Sequence, residues 1–483
     1  MIRAVKFAAS IALLSAVILL CPDEGRADLL RPNIVLVMCD DLGWADLKAF
    51  NSAARPLTPH VSEMAAAGMK FTRFYAAAPV CSPTRGSCLT GRHPSRYGIP
   101  TANAGHIPAD EVLLPELVRA AGYVTGHFGK WHLGTLTFVQ KDSNRGRPGD
   151  RAHFSPPWEN GYDRVFATEA KVPTFDPMWT PAKHDGKAWA PVSDRSAAAN
   201  YGTRYWNELG AEVTDNLDGD DSRVIMDRAE PFIRSAVEAG KPFFTTIWFH
   251  APHLPVVAGS RHTSHYADAS LYDRSYFGCI TALDEQIGRL RETLRELKIA
   301  DNTLVWFCSD NGPEGQEASA PGRATPFRGR KRSLYEGGVR VPGIVEWPAV
   351  VQPGQSTGIA AVTSDFLPTL LDVLDLKMPD QRPVDGISLM PVLKGDVSRE
   401  RSQPLGFQSG NQAAMHNGDW KIYSNDRGTS WELYNLREDP GETHDLSGNW
   451  PEEKKNLIAS YQNWKVSCQR SSAGADYPAH VNQ

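Results

Sequence analysis

The feature that most constrains this chain is a repeated pattern: short apolar runs that end in chemically capable residues, separated by stretches with helical punctuation. Residues 33–38, NIVLVM, are rich in β-branched side chains, as a strand buried on both faces is, and they end at Cys39, Asp40 and Asp41. Thr58 and Pro59 supply a cap and a first-turn proline for a helix through Ala67, which Gly68 stops. Further strands are expected at 69–75, 123–128, 243–249 and 303–307, alternating with helices at 114–121, 222–237 and 280–297. Such alternation predicts an α/β fold: a large, mostly parallel, doubly wound sheet sandwiched by helices. Ligands of these sheets bind beyond the carboxyl ends of the strands. Five predicted strand ends carry Asp40-Asp41, Cys81, Lys130-Trp131-His132, His250 to His253, and Ser309-Asp310-Asn311, so one common site is expected.

A length of 483 residues exceeds what one core usually supports. Arg3 and Lys6 precede an apolar run at 7–20 that is too short to span a bilayer comfortably, and Gly25-Arg26-Ala27 forms a small-x-small cleavage site. Residues 1–27 therefore read as a secretory signal, and the protein as exported, periplasmic or secreted, with no membrane attachment after cleavage. Residues 28–398 form the expected catalytic domain. From 399 to 483 the pattern changes to short alternating segments and a helix at 451–464, predicting a small antiparallel sheet with one covering helix.

Residues 136–221 are loop-rich and contain Trp158, Trp179, Trp189 and Trp206. Long irregular insertions are usually functional, and these rings are expected in part to stack on sugars and in part to fill the core. A net charge of −5 with dispersed Lys and Arg gives no general attraction for nucleic acid, so any anion must be held by a local cluster. Seven cysteines make no disulfide framework.

The stretch CSPTRGSCLTGR, residues 81–92, predicts a short helix with Ser82 as cap, Pro83 at the first helical position and Gly91 as the stop. Cys81 would then stand just ahead of a helix N-terminus, where free N–H groups favour an anion, with Arg85 beside it. A Cys81–Cys88 disulfide is the alternative, awkward across a rigid short helix. Asp40, Asp41, Asp310 and Asn311 form an all-oxygen donor set suited to a hard divalent cation and poorly suited to zinc. His250 and His253 flank Pro252, which breaks the helix that a metal-binding pair would need. The run DNLDGDDS at 215–222 lacks the closing glutamate of a calcium loop and reads as a helix-capping turn.

The Cys-x-Pro-x-Arg pattern at Cys81–Arg85 resembles the signature of the formylglycine-dependent sulfatases. The other landmarks are similar to that family's in order: CDDLGW, GKWHLG, APHLP, CSDNG, RGRKRSLYEGGVRVP, and in the tail WELYNLREDPGETHDL. The resemblance implies an alkaline-phosphatase-like fold and conversion of Cys81 to formylglycine (3-oxoalanine) by a formylglycine-generating or equivalent maturation enzyme. It implies calcium, in preference to magnesium, on Asp40, Asp41, Asp310 and Asn311, and catalytic roles for Arg85, Lys130, His132, His253 and Lys331. Arg330 and Arg332 depart from the expected loop and are read as reshaping it or as binding an anionic sugar. The expected reaction is hydrolysis of a sulfate monoester, with a sulfated carbohydrate as substrate. Two other readings remain open on sequence: a phosphate or phosphonate monoester hydrolase on the same fold, and an inactive sulfated-glycan binding protein.

Overall fold

The strand Asn33–Cys39 is buried along its whole length and feeds two cores. Ile34, Leu36 and Met38 enter one apolar cluster, while Val35, Val37 and Cys39 enter the other, the alternation that a pleated strand imposes. The computed structural model describes residues 31–316 and 319–477. The expected signal segment at 1–27, with Cys21, lies outside the described residues.

Parallel strands Thr303–Ser309 and Phe243–Trp248 flank Asn33–Cys39, and Val124–Lys130 and Arg164–Thr168 extend the parallel set. On the other side Arg340–Glu346 runs antiparallel to Thr303–Ser309, and Met69–Tyr75 runs antiparallel to it in turn. Met69–Tyr75 thus points the same way as the central strands. Short edge strands complete an eleven-stranded mixed sheet. Helices Pro59–Ala67, Asp221–Glu238 and Leu271–Glu296 cover one face; Cys81–Thr90, Leu114–Ala120 and Phe366–Val373 cover the other. The architecture is the expected mostly parallel, helix-sandwiched sheet.

Several local expectations change. The long helix starts at Leu271 rather than near 280, because Ser270 Oγ caps it by accepting from Asp273 N at 3.1 Å. Residues 136–221 are not irregular throughout, since Arg164–Thr168, Tyr205–Asn207 and Glu212–Val213 join the main sheet. The insertion uses its tryptophans to pack itself. Trp206 is buried with Nε1 donating to Asp142 Oδ2 at 2.8 Å, and Trp189 is buried. Trp158 and Trp179 are half-buried against the two cores, the latter under the Arg195 guanidinium. Trp189 and Trp206 thus serve the fold, as expected for part of the set, while Trp158 and Trp179 keep part of their rings exposed.

The second sheet consists of Leu405–Ser409, Gln412–Asn417, Trp420–Ser424 and Glu432–Asn435, antiparallel throughout. Its covering helix, Pro451–Ser472, runs past the expected end at 464. A buried ionic cluster ties this sheet to the large one. Glu336 accepts from Tyr75 Oη at 2.9 Å and from Lys421 Nζ at 3.0 Å, and Lys421 reaches Glu442 at 2.7 Å. Among the described residues no helix is long and apolar enough to cross a membrane.

Candidate functional site

Because Cys39 and Ser309 pair in register on parallel strands, the residues that follow them emerge side by side. Asp41 N donates to Asp310 Oδ1 at 3.1 Å, and Asn311 Nδ2 donates to Asp41 Oδ1 at 2.7 Å. Asp41 has φ 66°, a left-handed turn that an aspartate tolerates better than most side chains. The four expected oxygen donors are thus adjacent and fully buried.

Cys81 comes from the strand Met69–Tyr75 by way of a short loop and lies in the first turn of the helix Cys81–Thr90. Here the sequence expectation is corrected. Val80, in extended backbone, is the cap, and its carbonyl accepts from Thr84 N; Ser82 Oγ instead donates to Ala102 O at 2.6 Å. Gly91 ends the helix as expected, at φ 67°, with its N–H donating to Ser87 O. Cys81 Sγ donates to Asp40 Oδ1 at 3.3 Å. Burial first, then repulsion from Asp310 and Asp40, pushes the thiol pKa up, so the sulfur keeps its proton. The six described cysteines are all free, and Cys81 and Cys88 form no disulfide.

Three cations meet the three acids. Arg85 places Nε and Nη2 on Asp310 Oδ2 at 3.0 and 2.7 Å, gives Nη1 to Lys130 O at 2.9 Å, and lies over the Trp248 ring. Lys130, at its own strand end, donates to Asp40 Oδ2 at 2.6 Å. Lys331 donates to both oxygens of Asp41, at 2.6 and 2.8 Å. It arrives on the loop before Arg340–Glu346, whose antiparallel course puts its amino end at this edge of the sheet. All six side chains are buried, so the pairing offsets a large desolvation cost. Burial alone would raise the Asp40 carboxyl, but Lys130, His253, Arg85 and Lys331 together hold it well below the usual range. At Asp310 burial and the charge of Asp40 prevail and push the pKa up to about 7.

His253 Nδ1 donates to Leu254 O at 2.6 Å, leaving Nε2 bare at 3.5 Å from Asp41 Oδ2. His132 Nε2 donates to Asn103 Oδ1 at 3.1 Å, and its buried Nδ1 has no partner. Burial, followed by Lys331 for His253 and Lys130 for His132, holds both imidazoles well below the ordinary histidine value. His250 stands apart, between Thr168 Oγ1 at 2.7 Å and Asp221 Oδ2 at 2.8 Å, a hydrogen-bonding residue as expected. The acidic turn before it in sequence is also as expected, with Asp220 capping the helix Asp221–Glu238 through Arg223 N.

Ligand atoms of Asp40, Asp41, Cys81 and His253 lie within 4.8 Å of one another. Asn311 Oδ1 is buried without a donor. A buried acceptor left unpaired is costly, and a hard cation beside Asp40 and Asp41 would satisfy it. The residues therefore fit a divalent ion.

The loop arginines are committed elsewhere. Arg332 forms a fork on Glu314 at 2.7 and 2.9 Å, and Arg330 donates to the carbonyls of Glu314 and Gly322. They shape the loop that carries Lys331, as one of the two readings of these arginines expects. Sequence reading missed two neighbours of the site. Lys171 follows the strand Arg164–Thr168, so the strand-end rule would have found it had that strand been recognised. Asn103 sits on a loop with no distinguishing signal.

The Sulfatase family model matches residues 32–376, and a model described as N-sulphoglucosamine sulphohydrolase, C-terminal, matches 329–465. N-acetylgalactosamine-6-sulfatase of Sus scrofa is 33% identical over 428 residues, covering 83% of this chain and 73% of the relative. Steryl-sulfatase of Mus musculus is 32% identical over 463 residues, covering 81% and 70% respectively. The crystal structure of Ps i-CgsB in complex with k-i-k-neocarrahexaose matches with a TM-score of 0.76 at 26% identity, covering 92% of this chain and 94% of that one.

Proposed function

Because the chain belongs to the sulfatase family and is a sulfuric ester hydrolase, we propose that it is an exported enzyme that hydrolyses sulfate monoesters of a sulfated carbohydrate, with Cys81 converted to formylglycine by a maturation enzyme. The observation that carries this reading is the placement of Cys81 Sγ at 3.3 Å from Asp40 Oδ1, inside a ring of buried Arg85, Lys130 and Lys331. The carbohydrate class is supported by a relative named for N-acetylgalactosamine 6-sulfate and by a solved neighbour bound to a neocarrahexaose. Export rests on the signal-like residues 1–27.

Asp40, Asp41, Asp310 and Asn311 would hold calcium, which supplies Lewis-acid polarisation of a sulfate oxygen. A hydrated aldehyde at position 81 would supply the nucleophilic oxygen and a second hydroxyl, through which sulfate could leave as the C=O bond re-forms. Asp40 Oδ1, already the acceptor for the residue-81 side chain, orients the nucleophilic oxygen by accepting its hydrogen bond, and His253 Nε2 takes the proton that this oxygen gives up. Arg85, Lys130 and Lys331 neutralise the spread charge on the nonbridging oxygens while the sulfur–alcohol oxygen bond breaks. His253 Nε2 is the bare ring atom, and an anion entering beside it raises its affinity for the proton it then delivers to the departing alcohol, with Lys331 alongside. His132 Nδ1, unpartnered, takes the proton of the second hydroxyl.

Two measurements test this. Conversion makes the peptide containing residue 81 about 18 Da lighter than the thiol form, and converted protein should turn over defined sulfated saccharides far faster than the matching phosphate esters. A fully active preparation with an unaltered thiol at 81, or a preference for phosphate, would overturn it.

A further inference from the structure

We propose that Lys171 binds a second anionic group of the substrate, beyond the sulfate that is cleaved, so that the preferred saccharide carries another sulfate or a carboxylate close to the scissile position. This rests on the sulfatase reading above and specifies its substrate.

Arg85, Lys130 and Lys331 each sit on one of Asp310, Asp40 and Asp41. Arg332 cancels Glu314, and Arg145 cancels Glu169. Among the described residues Lys171 has neither a carboxylate nor a carbonyl partner; the charges it feels are Lys130, Lys331, Asp41 and Asp40. It is the surplus cation of the site.

Its position is fixed rather than incidental. Thr168 pairs in register with Lys130, and its carbonyl accepts from Trp131 N at 2.9 Å. Thr168 Oγ1 then donates to Ala170 O at 2.7 Å, closing the turn that leads to Lys171. The Glu169 carboxylate points away into Arg145, which donates to it from both N and Nε, so the adjacent acid cannot neutralise the lysine. Ala170 and Val172 on either side are buried, while Lys171 is half-buried. It therefore stands at the margin of a site whose other cations are enclosed. Burial, then the repulsion of Lys130 and Lys331, lowers its pKa, as expected for an ammonium without a counter-ion.

Holding a third ammonium beside two others without an acid costs free energy, and such a preorganised surplus selects for negative charge in what enters. A singly charged sulfate ester would be matched by the divalent ion that Asp40, Asp41, Asp310 and Asn311 fit. Lys171 is left for a neighbouring substituent of the same or the adjoining ring.

The test compares wild type, Lys171→Met and Lys171→Arg, all converted at residue 81, on four substrates: an aryl sulfate, a hexosamine bearing one sulfate, its disulfated analogue, and the monosulfated ring joined to a uronate. For Lys171→Met, kcat/KM should fall about 10- to 100-fold, mostly through KM, on whichever of the two doubly charged substrates is the true class, the range expected for a charged hydrogen bond. On the other substrates it should stay within about twofold, and Lys171→Arg should recover much of the loss. The two doubly charged arms separate sulfate from carboxylate. An equal loss on all four would place Lys171 on the scissile sulfate and overturn the proposal, as would no loss on any. A wild type inactive on every sulfate ester would instead overturn the sulfatase reading beneath it.

Discussion

Asn311 Nδ2 donates to Asp41 Oδ1 at 2.7 Å, joining the ends of two parallel strands that lie 270 residues apart in sequence. The bond turns Asn311 so that Oδ1 is a buried acceptor without a donor, next to two carboxylates. Calcium is therefore expected to raise the melting temperature in a concentration-dependent way, through a stabilisation of about 2.7 kcal/mol at a hundredfold excess over its Kd. Chelation should abolish turnover, and calcium should restore it. Asn311→Leu keeps the shape but removes the acceptor, and should lose most of the calcium-induced shift in calorimetry. An equal shift in wild type and variant would place the ion elsewhere.

Arg85 is not exchangeable for lysine. Its Nε and Nη2 grip one oxygen of Asp310 while Nη1 holds the Lys130 carbonyl, a planar fork that a single ammonium cannot reproduce. Arg85→Lys should lower kcat about 10²- to 10³-fold, the scale seen when one preorganised charge-stabilising donor is lost. Steady-state kinetics beside a thermal melt would separate this from unfolding.

The strand-end rule made most of this site legible because the central strands are buried on both faces and therefore read as unbroken apolar runs. It found Asp40 and Asp310 for that reason, whereas Met69–Tyr75 and Val124–Lys130, which lead to Cys81 and Lys130, mix polar with apolar residues and were marked by the helix signals around them. It failed where a strand lacked the pattern. Arg340–Glu346 contains Pro342 and Gly343, and the register with Met69–Tyr75 shifts there, which is where a sheet tolerates proline. That strand carries the loop of Lys331 to the site, so Lys331 was recognisable by resemblance but its route was not. Arg164–Thr168 is short and lies inside an insertion dominated by turns, which hid Lys171. The cap of the helix Cys81–Thr90 was misplaced by one class of signal overriding another: Ser-Pro is a strong helix start, but Ser82 is drawn to the Ala102 carbonyl.

The contact between the two sheets should be strongly sensitive to charge. Lys421 is fully buried between Glu336 and Glu442. Lys421→Met leaves two buried carboxylates facing each other without their cation, and removal of one partner from such a cluster costs about 3–5 kcal/mol. Denaturant unfolding should show that loss at neutral pH. The triple variant Lys421→Met, Glu336→Gln, Glu442→Gln should recover part of it, whereas a purely steric defect would not be relieved.

Gly312 connects the metal-facing turn to the loop that carries Lys331. Its N–H donates to Gly338 O at 2.9 Å, and a Cβ there would stand 2.0 Å from Gly337 O. The obstacle is backbone on both sides, so Gly312→Ala can be accommodated only by moving Asp310-Asn311 away from the segment after Lys331. Stability should fall by about 1–3 kcal/mol, as for other overpacked positions. Turnover should fall further than that loss explains, about 10²-fold at temperatures where the variant is fully folded, because displacing reacting groups by about 1 Å is enough for such a drop. Calcium affinity measured by titration calorimetry should weaken in the same variant, since the turn that moves also holds Asn311. Wild-type turnover and calcium binding in a merely destabilised Gly312→Ala protein would show that the close approach serves packing alone.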